Sequence, residues 1–457
     1  MSYRPHGLCA VAIVAAISLA LGARAQEACV DQTWECLLAE ALKTSEDIYD
    51  SFDRDEVYFE GIKTYLAFEK IAEARETSLN IANPITHAEA ERTIAEVLAR
   101  LGDFDGARAT AFEILDSRND SARIRAFEAI AVEEARAGNV ESAFDTVIAI
   151  DNPYRRSQAQ AVIAETVALN GDIDAAIRAA TRIATDYWFN DGQPQFKIAS
   201  GVVSRASEFD DYWFYHALVR IAAIQCQNGN DVGATQTARA IPDLVARSAG
   251  FTEIARAQAG RGDIENALAT ARLVEAAYGD QDALLAVVGA IARSGDLEHA
   301  EELARDILDS YGSDRGFVHL AAGRAADGDL EGALAEFGRL TNVESKALAA
   351  QEISVNIAEQ GNLSGAIALI QQIPEIGVRD ETFRQLAIEL VNLGRKDEAF
   401  SLARETGSTA SANELIYSVL EAQALQGDQD NAIQFARNLA DPMARGIALA
   451  LIARVLG

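Results

Sequence analysis

The sequence predicts an all-α solenoid built from antiparallel helix pairs with a 33-residue period. Three observations predict it. A glycine recurs at Gly102, Gly138, Gly171, Gly229, Gly262, Gly295, Gly328, Gly361, Gly394 and Gly427, and the last seven are spaced by 33. Other columns keep the same phase: Ala stands five residues after each glycine in all ten cases, and Ile, Leu or Val stands eight before. Finally, 457 residues are too many for one compact core, while 49% hydrophobic residues are too many for disorder. Self-similarity at a fixed period is the signature of a repeat array.

Each column has a physical reading. Residues before the glycine have helical spacing, as in Ile254, Ala255, Gln258 and Ala259. Glycine ends that helix because it tolerates a left-handed backbone. The next residue is Asp or Asn in nine of ten cases, the type that caps a new helix by accepting from its free N–H groups. Three after the glycine, eight of ten residues are acidic, where the helix dipole favours a carboxylate. The alanines then let the second helix approach the first, and an aliphatic residue twelve after the glycine fills the space between layers. Such a hairpin buries its apolar face only against its neighbours.

The chain divides in order. Residues 1–25 read as a signal peptide: Arg4 and His6, an apolar run from Leu8 to Leu21, then Ala23-Arg24-Ala25. That run is shorter than the roughly 20 residues a spanning helix needs. Residues 26–83 read as an N-terminal cap with a degenerate first hairpin, in which Glu69 takes the glycine position and Ala74 the alanine position. Repeats follow over 84–183 and 215–441, and 442–457 reads as a C-terminal capping helix. Pro84, Pro153, Pro242, Pro374 and Pro442 fall between hairpins, where a missing N–H is tolerated.

Paired helices of this length, with Gly followed five residues later by Ala, resemble the tetratricopeptide repeat over about residues 54–457. The Trp and Tyr of that family's first helix are absent, and its Phe four after the Ala occurs only as Phe337. The resemblance implies a right-handed superhelix whose concave face binds peptides or partner proteins. The ankyrin signature Thr-Pro-Leu-His is missing.

Residues 184–214 interrupt the period. Here Asp186-Tyr187-Trp188-Phe189 is echoed by Asp211-Tyr212-Trp213-Phe214, and Gln195 to Ala206 reads as an extra helix. Tyr187, Trp188, Phe189, Tyr212, Trp213 and Phe214 are the candidate partner-binding residues, since Trp and Tyr concentrate at interface hot spots. The competing reading is that these rings fill the gap between repeats.

The chemistry expected is binding. A net charge of −30 opposes nucleic acid, whose phosphates are bound by Lys and Arg. The histidines lack metal-ligand spacing, and no nucleophile elbow or phosphate loop occurs, so neither enzyme activity, metal nor cofactor is expected. Some exported lytic transglycosylases resemble this chain in their helical superhelix, but their Glu-Ser start is matched only by Glu141-Ser142 and Glu344-Ser345, inside the repeats. Cys29 and Cys36 could bridge in an oxidising compartment. On one continuous helix they would stand about 10.5 Å apart, too far for a disulfide. A bridge therefore needs non-helical backbone near Cys29, with the first helix starting near Asp31. The expected protein is an exported, periplasmic or secreted, scaffold for an unknown protein or peptide. The alternative is a carbohydrate- or envelope-polymer-binding module.

Overall fold

The computed structural model describes residues 32–114, 121–185, 195–198, 201–204, 208–274 and 280–456. The signal segment, Cys29, Tyr187, Trp188 and Phe189 lie outside them. The described chain is all-α apart from one small β-hairpin: a solenoid-like succession of helix pairs. In order these are α1 (Trp34–Lys43), α2 (Ser51–Ala67), α3 (Ile71–Ser78), α4 (Pro84–Arg100), α5 (Phe104–Glu113), α6 (Ser121–Arg136), α7 (Val140–Val147), α8 (Pro153–Leu169) and α9 (Ile173–Thr185). After β1 (Gln195–Ile198) and β2 (Gly201–Ser204) come α10 (Glu208–Gln227), α11 (Asp231–Arg239), α12 (Leu244–Gly260), α13 (Ile264–Ala271), α14 (Asp280–Arg293), α15 (Leu297–Tyr311) and α16 (Arg315–Ala326). The chain continues through α17 (Leu330–Arg339), α18 (Val343–Glu359), α19 (Leu363–Ile370), α20 (Ile376–Asn392), α21 (Lys396–Ser401), α22 (Thr409–Leu425), α23 (Gln429–Arg437) and α24 (Pro442–Val455).

The chain forms two units, one of residues 88–416 and one of residues 1–87 with 417–457. In the first, each first helix from α6 to α18 packs on its own second helix and on the first helix of the next pair; α12, for example, packs on α13 and α14. The sequence columns are the core. The ten alanines five after the turn glycines are all fully buried, and so are the ten aliphatic residues eight before them, from Ile94 to Val419.

The turns follow from backbone stereochemistry. All ten periodic glycines have a positive φ, between 74° and 94°. At Gly262 the amide reaches Ala259 O, and the Asp263 amide reaches Gln258 O, closing the helix end. The Asp263 carboxylate then accepts from Asn266 N, starting the next helix. Asp103, Asp172, Asn230, Asp296, Asp329 and Asn362 do the same in their own turns.

The degenerate hairpin shows how strict that turn is. Glu69 has φ +57°, and its bonds to Leu66 O and from Lys70 N to Tyr65 O reproduce the glycine turn. A side chain pays a steric penalty in this conformation that glycine does not. Glu69→Gly is therefore expected to stabilise the protein by about 0.5–1 kcal/mol, after the extra freedom glycine gives the unfolded chain. A denaturant midpoint equal to or below the parent's would contradict this.

A second device joins successive pairs. Asp314, immediately before α16, is buried and accepts from the Thr341 amide at 2.7 Å and the Asn342 amide at 3.0 Å, just before α18. Thr341 Oγ1 and Ser345 Oγ also donate to it. Asp55 holds the Ala82 and Asn83 amides, and Asp380 the Gly407 amide, from the same position fourteen before the turn.

Two expectations change. Gln195 to Ala206 is no helix: β1 and β2 pair antiparallel, with Phe196 opposite Val203 and Ile198 opposite Gly201. Branched Ile198, Val202 and Val203 favour extended backbone. Nor does the insertion run to Phe214, because α10 starts at Glu208 and makes Tyr212, Trp213 and Phe214 part of a repeat helix. The 442–457 segment is a helix over Pro442–Val455, as expected, and α24 is packed by α1 and α2 within the second unit.

Candidate functional site

The aromatic residues divide by helical phase. Pro153 starts α8 and sets Tyr154 in its first turn, half exposed. In α10, Tyr212 is 57% exposed, whereas Trp213 and Phe214 are 8% and 5% exposed. Of the candidate residues, then, Tyr212 faces solvent and its two neighbours are core. Trp213 and Phe214 therefore fill core space, whereas Tyr212 stays exposed beside them.

These rings form one cluster across α8 and α10. Trp213 lies edge-on to Tyr154, with centroids 5.5 Å apart, and edge-on to Tyr212 at 5.0 Å. His216, one turn along α10, lies 5.4 Å from Trp213 and 6.2 Å from Tyr212. Such edge-to-face contacts fit the ring quadrupoles. Beyond them Arg220 of α10 donates to Glu165 of α8 at 2.9 and 2.7 Å. Burial lowers the His216 pKa, Glu165 opposes that and Arg220 adds to it, so the imidazole is neutral at pH 7. Trp213 Nε1 is buried with no acceptor among the described residues. A buried N–H of this kind is costly unless some group accepts from it.

Tyr154, Glu165, His216 and Arg220 were not singled out from the sequence. One signal was present: Tyr154 and Tyr212 each stand seventeen residues before a turn glycine, Gly171 and Gly229. A second concavity of about 470 Å³ opens between α9 and α11, beside the interrupted period. Asp172, Asp174, Gln225, Asn230 and Gln236 line it.

The remaining candidates are structural. Cys226 fills an alanine position and is fully buried; its thiol donates to Asp231 Oδ1 at 2.9 Å. Arg261 binds the same carboxylate at 2.8 and 2.9 Å. Burial, followed by the Asp231 charge and hydrogen bond, pushes the thiol pKa up to about 12. The thiolate is the nucleophile, so Cys226 is expected to resist iodoacetamide at pH 8 in the folded protein and react on denaturation. Rapid native labelling, read by mass spectrometry, would refute that. Ser142 donates to the buried Glu134, and Ser345 to Asp314, so both Glu-Ser pairs serve the repeat. Exposed His299 pairs with its capping neighbour Asp296 at 2.6 Å. Cys36 is disulfide-bonded, but its expected partner Cys29 lies outside the described residues. The first helix begins at Trp34, after non-helical Gln32 and Thr33. Among the described residues no group of His, Cys, Asp and Glu is arranged to hold a metal ion. None of the described helices is long and apolar enough to cross a membrane.

No protein-family model matches the chain. No curated protein matches it either. Among solved structures, it is similar to Ton1535 from Thermococcus onnurineus NA1, with 15% identity and a TM-score of 0.23 over 78% of this chain and 97% of that one. It is also similar to a circular tandem repeat protein with novel repeat topology and enhanced subunit contact surfaces, with 14% identity and a TM-score of 0.18 over 93% of this chain and 94% of that one.

Proposed function

We propose that this protein is an exported, non-enzymatic tetratricopeptide-like scaffold that binds another protein through its first-helix layer. The observation that carries this reading is the patch on α8 and α10. Two half-exposed tyrosines flank a tryptophan whose buried N–H has no acceptor among the described residues. Rings fixed by packing offer contact area at little entropic cost, which makes such groups strong interface anchors. The Glu165–Arg220 pair beside them supplies polar recognition at the rim. Export rests on the N-terminal sequence pattern.

The test uses Tyr154→Ala and Tyr212→Ala together, since both side chains are solvent-facing and their loss spares the core. The full chain is expected to retain a discrete protein from an envelope fraction, and the double variant to lose at least tenfold of it with unchanged circular dichroism. Equal capture by both would sink this reading. The same exposed rings also suit stacking on sugars, so the alternative is a carbohydrate or envelope-polymer module. That alternative predicts saturable quenching of Trp fluorescence by oligosaccharides, lost in the double variant.

A further inference from the structure

From α6 to α18, a first helix has three kinds of neighbour: its own second helix, the next first helix, and the second helix before it. The helix α24 is a first helix by sequence phase, with Leu449, Ile452 and Ala453 buried. It packs on α1 and on α2, and α1 packs on α2. These are the same three pairings that α12, α13 and α14 make.

The register agrees in detail. Gln32 has φ +46°, the left-handed conformation that the turn glycines adopt. Thr33 follows it as a helix cap and accepts from the Cys36 amide, as Asp263 accepts from Asn266. Leu37 and Ala41, five and nine residues after Gln32, are fully buried like Ala267 and Ala271 after Gly262. Gln32-Thr33 thus repeats the Gly-Asp turn at the start of α1. Arg454 pairs with Glu60 on α2, at the two register positions where Glu165 pairs with Arg220, with the charges exchanged. Thr64 Oγ1 donates to Ala450 O at 3.0 Å. Glu40 takes both Nε and Nη2 of Arg437, at 2.9 and 2.7 Å, tying α1 to α23. Gly446 marks the closest approach: a Cβ there would stand 2.3 Å from Thr44 Oγ1 and 3.0 Å from both Val57 methyls.

We propose that α24 and α1 are the two halves of one repeat hairpin, supplied by distant parts of the sequence, and that this composite hairpin is a clasp. The occupant of the apolar face of α24 is α1 of the same chain. Releasing α1 therefore releases α24, although some 400 residues of sequence separate them.

Hydrogen exchange on the full chain tests this with Glu40→Arg, Arg437→Glu, the double exchange and Gly446→Val. The first two variants touch no residue of α24. They are expected to raise exchange of residues 34–47 and 442–455 together, by about tenfold, while residues 330–392 keep parental protection. The double variant restores both segments. Gly446→Val loosens both irrespective of charge. Faster exchange in 34–47 with unchanged 442–455 would overturn the proposal, as would unchanged exchange in both segments across all the variants.

Discussion

Asp314→Ala is expected to cost about 3 kcal/mol and to open the α16–α18 junction before the rest of its unit. The carboxylate accepts from two backbone amides and two hydroxyls at 2.6–3.1 Å. Alanine removes one buried charged acceptor from two amides and two hydroxyls at once, and hydrogen bonds to a charged group are worth more than average ones; Thr341 and Asn342 are exposed, so water recovers part of the loss. Asp314→Asn should cost less, because one carbonyl oxygen survives. The effect has a pH signature. Burial raises the Asp314 pKa, but the bonds from Ser345, Asn342 and Thr341 outweigh it and hold the value below the usual carboxylate range. The stabilisation is therefore complete above the unfolded value, about 3.9, and is lost as the pH falls through the lower folded value. Hydrogen exchange of residues 341–346 between pH 3 and 6 checks this. Equal protection in parent and Asp314→Ala at pH 6 would refute it.

Ile254→Ala is expected to cost about 3–4 kcal/mol, in the upper half of the range for a buried aliphatic. Ile254 is fully buried in a cluster with Ala222, Ala234, Ala238, Phe251 and Ala255. The alanines have no length to relax into the void, so the cavity persists. Ile254→Val removes one methylene and should cost about 1 kcal/mol. Repeat arrays need not unfold in one step, so the loss is read locally, as exchange in α12 and α13 against α18 and α19. A loss below about 1 kcal/mol for Ile254→Ala would mean that this column is not the core.

Much of the fold was legible because one short unit is written ten times. Glycine, the cap and the alanine each serve a separate need, so agreement among columns was independent evidence. The exceptions failed for physical reasons. Gln32 adopts the glycine conformation without being glycine, and no 33-residue column pointed to it, whereas Glu69, which does the same, was placed by its spacing from Gly102. The Asp314 junction is carried by Asp in only a few repeats, so no column announced it. The Gln195–Ser204 hairpin is too short for periodicity to separate strand from helix. The site was legible as residue types but not as exposure. One step along α10 turns Tyr212 outward and Trp213 inward, and that phase became readable only with the helix start at Glu208. The acidic charge also gained a local cause: five capping Asp and eight first-turn acids account for thirteen of the 70.

Site-specific photo-crosslinking from position 212 tests the binding claim most directly, with position 148 as reference. Tyr212 lies in the patch, while Ile148, 61% exposed, ends a second helix in the same unit. A photoreactive phenylalanine at 212 is predicted to give a discrete adduct with an envelope protein, and one at 148 to give none. An adduct from 148 with none from 212 would contradict the assignment of the first-helix layer as the binding face.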